Sequence, residues 1–330
     1  MEYRKFGNTD LKVSVIGFGA WGIGGPAMAG EIPIGWGKTN DKQSMEALKK
    51  ALDLGINFYD TADFYGFGHS EELIGQTFGN RPDVIIATKG GHVLDSRGNF
   101  SVNYSKQHLI NACEKSLKRL KRETIDYYQL HSARLEHLQQ GECIEAMELL
   151  QKAGKIRYWG LSLNTFSPAP EAEFLMQHQW GYGFQIVFNM VNQRGLPVIQ
   201  QAHAKGYGII ARMPLHFGML TGKFNKTTRF EKEDHRTFRL TPELLSKASE
   251  DLQEVWKKAK NKGISKTAYS LSFCTSFPEI STVIPGIKTP EQAVENTSYG
   301  VTLSKNERQY IQTLYREKWT DLIPLIEQNG

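Results

Sequence analysis

Three stretches of this chain run apolar and then stop on a side chain that can hold or move a proton. They are Asn57-Phe58-Tyr59-Asp60, Ile85-Ile86-Ala87-Thr88-Lys89 and Tyr127-Tyr128-Gln129-Leu130-His131, and Tyr65 follows the first by a few residues. A charge at the end of a buried strand is either capped surface or part of a site. A carboxylate, an ammonium and an imidazole at three successive strand ends are harder to assign to surface. A phenol titrates near pH ~10 and is a poor donor unless its phenolate is stabilised. A nearby ammonium does that, and an imidazole can orient or polarise the same oxygen. A carboxylate offsets much of the cost of burying the ammonium, roughly several kcal/mol. Tyr65 then reads as a general acid for an oxygen that develops negative charge, as a carbonyl oxygen does on reduction. None of the four groups can donate a hydride, so the electrons must come from a cofactor.

Such a set has to be gathered by a scaffold. Short β-branched or aromatic runs recur at residues 13–16, 56–59, 84–88, 125–130, 156–161, 184–188, 208–211 and 280–284, each a candidate buried strand. Helical patterns lie between them at 44–54, 105–120, 143–150, 196–205 and 241–262. Gly55, Gly154 and Gly206 serve as stops, and Pro242 suits a first turn. Alternating βα units with right-handed crossovers make a parallel sheet. The economical closure is an α/β (β/α)8 TIM barrel formed by residues 1–330 as one domain; a doubly wound open sheet is the competitor. In a barrel, the C-terminal strand ends surround one shared site. Residues 302–327 read as a C-terminal helical segment. Two loops, 22–40 and 215–239, are too long for plain connections and are expected to shape or cover the C-terminal face.

Composition narrows the class. Forty Lys and Arg against thirty-five Asp and Glu leave a formal +5, too mixed along the chain to indicate nucleic acid or a membrane surface. Residues 13–30 carry no charge, but their glycines and Pro26 argue for strand and loop, not a membrane span. Cys113, Cys143 and Cys274 form no CxxC pair and read as packing residues of a cytoplasmic protein. The N-terminus lacks the apolar core of a signal peptide. Gly17-Phe18-Gly19-Ala20-Trp21-Gly22 matches GxGxxG, but Ile23-Gly24-Gly25-Pro26 cannot open the helix that a dinucleotide fold needs there. No Walker A, HExxH or EF-hand sequence is present, so no metal site is expected.

As a set, these motifs resemble the aldo-keto reductase superfamily over nearly the whole chain, in its bacterial-type general branch. The resemblance is carried by Asn57-Phe58-Tyr59-Asp60-Thr61-Ala62 with Tyr65, Ala87-Thr88-Lys89 and Gln129-Leu130-His131. It continues through Gly160-Leu161-Ser162-Leu163-Asn164 and Ile284-Pro285-Gly286 leading to Glu295-Asn296. It implies a (β/α)8 barrel, an extended nicotinamide cofactor, and a catalytic tetrad of Asp60, Tyr65, Lys89 and His131. It further implies that Ser162, Asn164 and Gln185 hold the nicotinamide carboxamide and that Phe188 stacks on its ring in place of the usual tyrosine. Without the family, Ser162 and Asn164 are polar residues after a strand, which often cap a turn. Pro214, Leu215, Gly218 and Leu220 match the loop over the pyrophosphate. Gly286, Lys288 and Thr289 are expected at the adenosine end, with Gln292, Glu295 and Asn296. A 2'-phosphate on Lys288 and Thr289 would make NADP(H) preferred. NAD(H) stays open because Gln292 stands where some members have arginine. Gly19, Trp21 and Arg212 complete the expected cofactor contacts, and for Arg212 a salt bridge within the barrel is the alternative.

The implied activity is reduction of a small aldehyde, ketone or sugar-derived carbonyl to its alcohol. Trp21, Trp36, Phe64, His92 and Phe100 are candidates for an aromatic mouth. An isomerase or lyase using Asp60 or His131 as base is a second reading. A nicotinamide-binding regulatory or sensor subunit with little turnover is a third.

Overall fold

The structure, a computed structural model, describes residues 1–329. Eight parallel strands form one sheet in sequential order: β1 (Phe18–Gly19), β2 (Phe58–Asp60), β3 (Ile85–Gly90), β4 (Ile125–His131), β5 (Ile156–Ser162), β6 (Gly183–Val187), β7 (Gly208–Arg212) and β8 (Thr282–Ile284). The sheet closes on itself where Gly17 N donates to Val283 O at 2.8 Å and Gly19 N donates to Pro285 O at 3.0 Å. The barrel therefore takes precedence over the open sheet. At least one helix follows each strand, and the eight of the outer ring are α1 (Asp41–Asp53), α2 (His69–Phe78), α3 (Lys106–Leu120), α4 (Glu142–Lys152), α5 (Ala169–His178), α6 (Leu196–Ala204), α7 (Lys266–Thr275) and α8 (Pro290–Thr297).

Local chemistry accounts for the helix starts. Asn40, Ser105, Ser265 and Thr289 each accept, through their side chains, a backbone N–H three residues on, opening α1, α3, α7 and α8. The stop expected at Gly55 sits one residue past the cap of α1, where Gly55 adopts φ 91°.

Several boundaries differ from the sequence reading. Residues 13–16 are split: Lys12–Ser14 pairs antiparallel with Tyr3–Lys5, and the barrel strand begins only at Phe18. That hairpin plugs the bottom of the barrel with Phe6, Leu11 and Val13, against Phe58, Ala87, Tyr127, Ile210 and Ile284. The helix expected over 241–262 breaks at Leu252 into Pro242–Asp251 and Gln253–Asn261. The C-terminal segment is helical over Lys305–Thr313, then runs through a wide π turn at Leu314–Lys318 to Leu322–Gln328.

Side-chain alternation along strands decides what faces the barrel axis. Phe58, Ala87, Tyr127 and Ile210 point inward in the apolar bottom layer. Two residues further along the same strands stand Asp60, Lys89, Gln129 and Arg212, and His131 lies two beyond Gln129. The barrel interior thus turns from apolar to polar in one step, at the C-terminal face.

Candidate active site

At that step Lys89 is fully buried, and its ammonium is surrounded by oxygen. It donates to Asp60 Oδ1 at 2.6 Å, to the Thr61 carbonyl at 2.8 Å and to the Tyr65 hydroxyl at 3.3 Å. The other Asp60 oxygen accepts the side-chain amides of Gln185 at 2.7 Å and Gln129 at 3.1 Å. A buried ion pair is tolerable only when its remaining hydrogen-bonding capacity is met in this way. Burial works against the ammonium, but Asp60 and Tyr65 outweigh it and hold Lys89 above the usual lysine range.

Tyr65 stands on a tight turn after β2. Gly66 next to it has φ 59° and backs onto the Gly24 carbonyl, where a side chain would not fit. Burial pushes the Tyr65 phenol above its usual pKa of 10.0, and the Lys89 charge counters this without reversing it. The lowering by Lys89 that the sequence leads one to expect is outweighed, and the net sign is the opposite, because desolvation is the larger effect. The phenol is therefore neutral at physiological pH, as a proton donor must be.

His131 is also neutral. Burial drives its pKa well below 6.5, helped by His92, Lys89 and Arg212. Its Nδ1 is buried without a hydrogen-bond partner. The ring is instead held by stacking on His92, with centroids 3.7 Å apart and planes 14° from parallel, and by an edge contact with Tyr65 at 5.9 Å. His92 is braced in turn by Phe64 and Phe100, edge-on at 5.6 and 4.9 Å. Burial, aided by Lys89 and Arg212, lowers the His92 pKa to about 3.

A cavity of about 980 Å³ opens above these groups. Asp60, Tyr65 and His131 line one part, with Ser162, Gln185 and Arg212. Lys288, Thr289, Gln292, Glu295 and Asn296 line another, on the β8–α8 connection and α8. Gly19, Trp21, Pro214, Leu215, Gly218 and Gly286 lie along it as well. The two long loops meet over the cavity: His235 N donates to Gly35 O at 2.9 Å, and Trp36 bridges to Asp234. Arg236, paired with Asp234, sits over the Phe230 ring at 4.8 Å. Trp21 packs between Tyr65 and His235 at 5.9 and 4.8 Å. The expected aromatic mouth is present, with Trp21, Trp36, Phe64, His92 and Phe100 all on the wall.

Three of the residues read as cofactor contacts do not line the cavity. Phe188 is fully buried, stacked on Phe273 at 5.5 Å and edge-on to Phe277 at 5.0 Å in the outer layer. It continues the outward face of Phe184 and Ile186, whereas Gln185 faces in. Asn164 spends its side-chain oxygen on the backbone N–H groups of Phe166 and Ser167, at 3.0 and 2.9 Å, so the turn-capping reading describes it. Leu220 is buried and packs in the outer core. Gln185 lines the cavity, but its amide is directed at Asp60. Arg212 makes no ion pair among the described residues; it donates to Leu163 O at 3.0 Å and Thr165 Oγ1 at 3.3 Å. Gln129 and His92 were given no role in the tetrad from the sequence. The inward register of Gln129, two residues before His131, was the available signal. Nothing in the sequence marks the His92 stacking.

An extended dinucleotide fits this space. The volume is at the upper end of small-molecule pockets, roughly 300–1,000 Å³, and cations stand at separated points along it. The Lys288 ammonium donates to the Trp36 and Lys38 carbonyls at 2.9 and 3.2 Å, which leaves one of its three N–H groups for a phosphate oxygen.

Comparison with known proteins agrees with the fold. Residues 15–316 match the model of the Aldo/keto reductase family. The chain is 32% identical over 302 residues to the uncharacterized oxidoreductase YqkF of Bacillus subtilis (strain 168), covering 90% of each. It is 33% identical over 249 residues to the aldo-keto reductase YhdN of the same organism, covering 72% of this chain and 69% of that protein. The structure of the glycerol dehydrogenase AKR11B4 from Gluconobacter oxydans superposes with a TM-score of 0.78 at 27% identity, covering 98% of this chain and 96% of that one. The chain belongs to the aldo/keto reductase family. It is an oxidoreductase of the bacterial type, in a family whose members use nicotinamide cofactors.

Proposed function

We propose that this protein reduces small carbonyl compounds to alcohols with NADPH, with Tyr65 as the proton donor. The observation that carries the reading is the 3.3 Å contact between the Tyr65 hydroxyl and a Lys89 ammonium fully paired with Asp60. When bound, the reduced nicotinamide supplies the hydride and both electrons. Tyr65 gives its hydroxyl proton to the carbonyl oxygen, so the added hydride and proton together make the alcohol. Lys89 meets the negative charge left on the phenolate, and Asp60 keeps Lys89 charged and aimed. Neutral His131 orients the carbonyl oxygen without competing for the proton. The reverse reaction uses the same groups with Tyr65 as base.

Preference for NADPH over NADH rests on Lys288 and Thr289 beside the α8 N-terminus. The test is steady-state loss of reduced-nicotinamide absorbance with NADPH and NADH against a panel of aldehydes, ketones and sugars. Turnover with NADPH on at least one carbonyl class is expected. Tight nicotinamide binding with no turnover on any of them would favour a sensor role.

A further inference from the structure

The geometry points to a substrate that carries an anionic group, a carboxylate or a phosphate, held by Arg212 beside its reacting carbonyl. The inference rests on the reductase reading and names the substrate class within it. Arg212 ends β7, two residues above the inward-facing Ile210, and in register with Val187, two beyond Gln185. It lines the cavity in which Tyr65 and His131 also lie. No carboxylate lies within ion-pair distance of it among the described residues. Asp60, the nearest acid on the strand ends, is occupied by Lys89, Gln129 and Gln185.

The guanidinium is also short of acceptors. Its five N–H groups meet only the Leu163 carbonyl, the Thr165 hydroxyl and, at 3.3 Å, the weakly accepting sulfur of Met213. Its Nε is buried with no partner. A half-buried cation, unpaired and with donors to spare, is a cost that a bound anion relieves. The other acid on the cavity wall, Glu295, does not supply that anion, because it is taken up by Lys223 and Thr267. The cofactor's 2'-phosphate is assigned elsewhere, to Lys288 on the β8–α8 connection, and its pyrophosphate to the loop at Pro214, Leu215 and Gly218. Arg212 instead acts at the tetrad, where its charge is felt by Tyr65, His92 and His131. The nicotinamide end of the cofactor offers a neutral amide, so the anion facing Arg212 belongs to the substrate.

The experiment compares matched pairs with saturating NADPH: 4-carboxybenzaldehyde against benzaldehyde, and glyceraldehyde 3-phosphate against glyceraldehyde. The wild-type protein is expected to favour the charged member of at least one pair in kcat/KM by roughly 10- to 100-fold, the range of a charge-assisted contact. Which pair shows it distinguishes carboxylate from phosphate. Arg212→Met should collapse the ratio toward one, and Arg212→Lys should keep part of it. Equal activity on both members of both pairs would overturn the inference while leaving the reductase reading intact. So would an Arg212→Met variant that loses charged and neutral substrates equally and binds NADPH more weakly by fluorescence titration, because Arg212 would then serve the cofactor. No turnover on any of the four aldehydes would instead count against the reductase reading itself.

Discussion

The floor and the roof of the cavity are built by different physics. The floor is strand ends: Asp60, Lys89, Gln129 and His131 project from paired strands, buried, and the ion pair has every polar atom engaged. The roof is loop against loop, held by a backbone bridge between Trp36 and Asp234, by Arg236 over the Trp36 ring and by aromatic faces around Trp21, Trp36 and His235. A change in the floor leaves a buried charge uncompensated. A change in the roof loses one contact among several, near solvent. The floor therefore sets whether the chemistry runs, and the roof sets which molecules take part.

Substitutions that separate the two should differ in size accordingly. Lys89→Met removes one partner of a buried pair and should cost about 3–5 kcal/mol in urea unfolding, with turnover falling alongside. A loss below about 1 kcal/mol would mean that the pair is far better solvated than its geometry indicates. Phe188→Ala, packed behind the floor, should lose about 3–5 kcal/mol of stability for its cavity while NADPH affinity moves little. A large fall in affinity with little destabilisation would restore the stacking role read from the sequence. Lys288→Met in the roof should weaken NADPH about tenfold and NADH much less, by fluorescence titration. Equal losses for both would remove the phosphate contact. Smallest of all is the pH effect: because burial raises the Tyr65 pKa, kcat/KM for reduction should stay level through neutral pH and fall only above pH ~10.

The floor was also the more legible region. Period-two alternation places Asp60, Lys89 and His131 on inward positions, and apolar runs mark their strands plainly in the sequence. What stayed hidden has specific causes. α7 shows no apolar stripe, because it is buried on every side and its Ser270 hydroxyl bonds back to the Lys266 carbonyl. α2 carries Gly75 in its middle, which reads as a break but lets the helix pack directly on the Arg119 carbonyl. Phe188 sits one position off the inward face, a register that the motif alone does not reveal. The roof depends on loop 22–40 meeting loop 215–239, a contact between distant parts of the chain with no periodic signal.

Proton donation by Tyr65 is tested most directly by Tyr65→Phe, measured as kcat on a good aldehyde with NADPH binding followed in parallel. Loss of the hydroxyl should lower kcat by roughly 10²- to 10⁴-fold with cofactor affinity changed by no more than about twofold. A variant that turns over at a near-normal rate would show that the proton comes from elsewhere, however close Lys89 stands to the phenol.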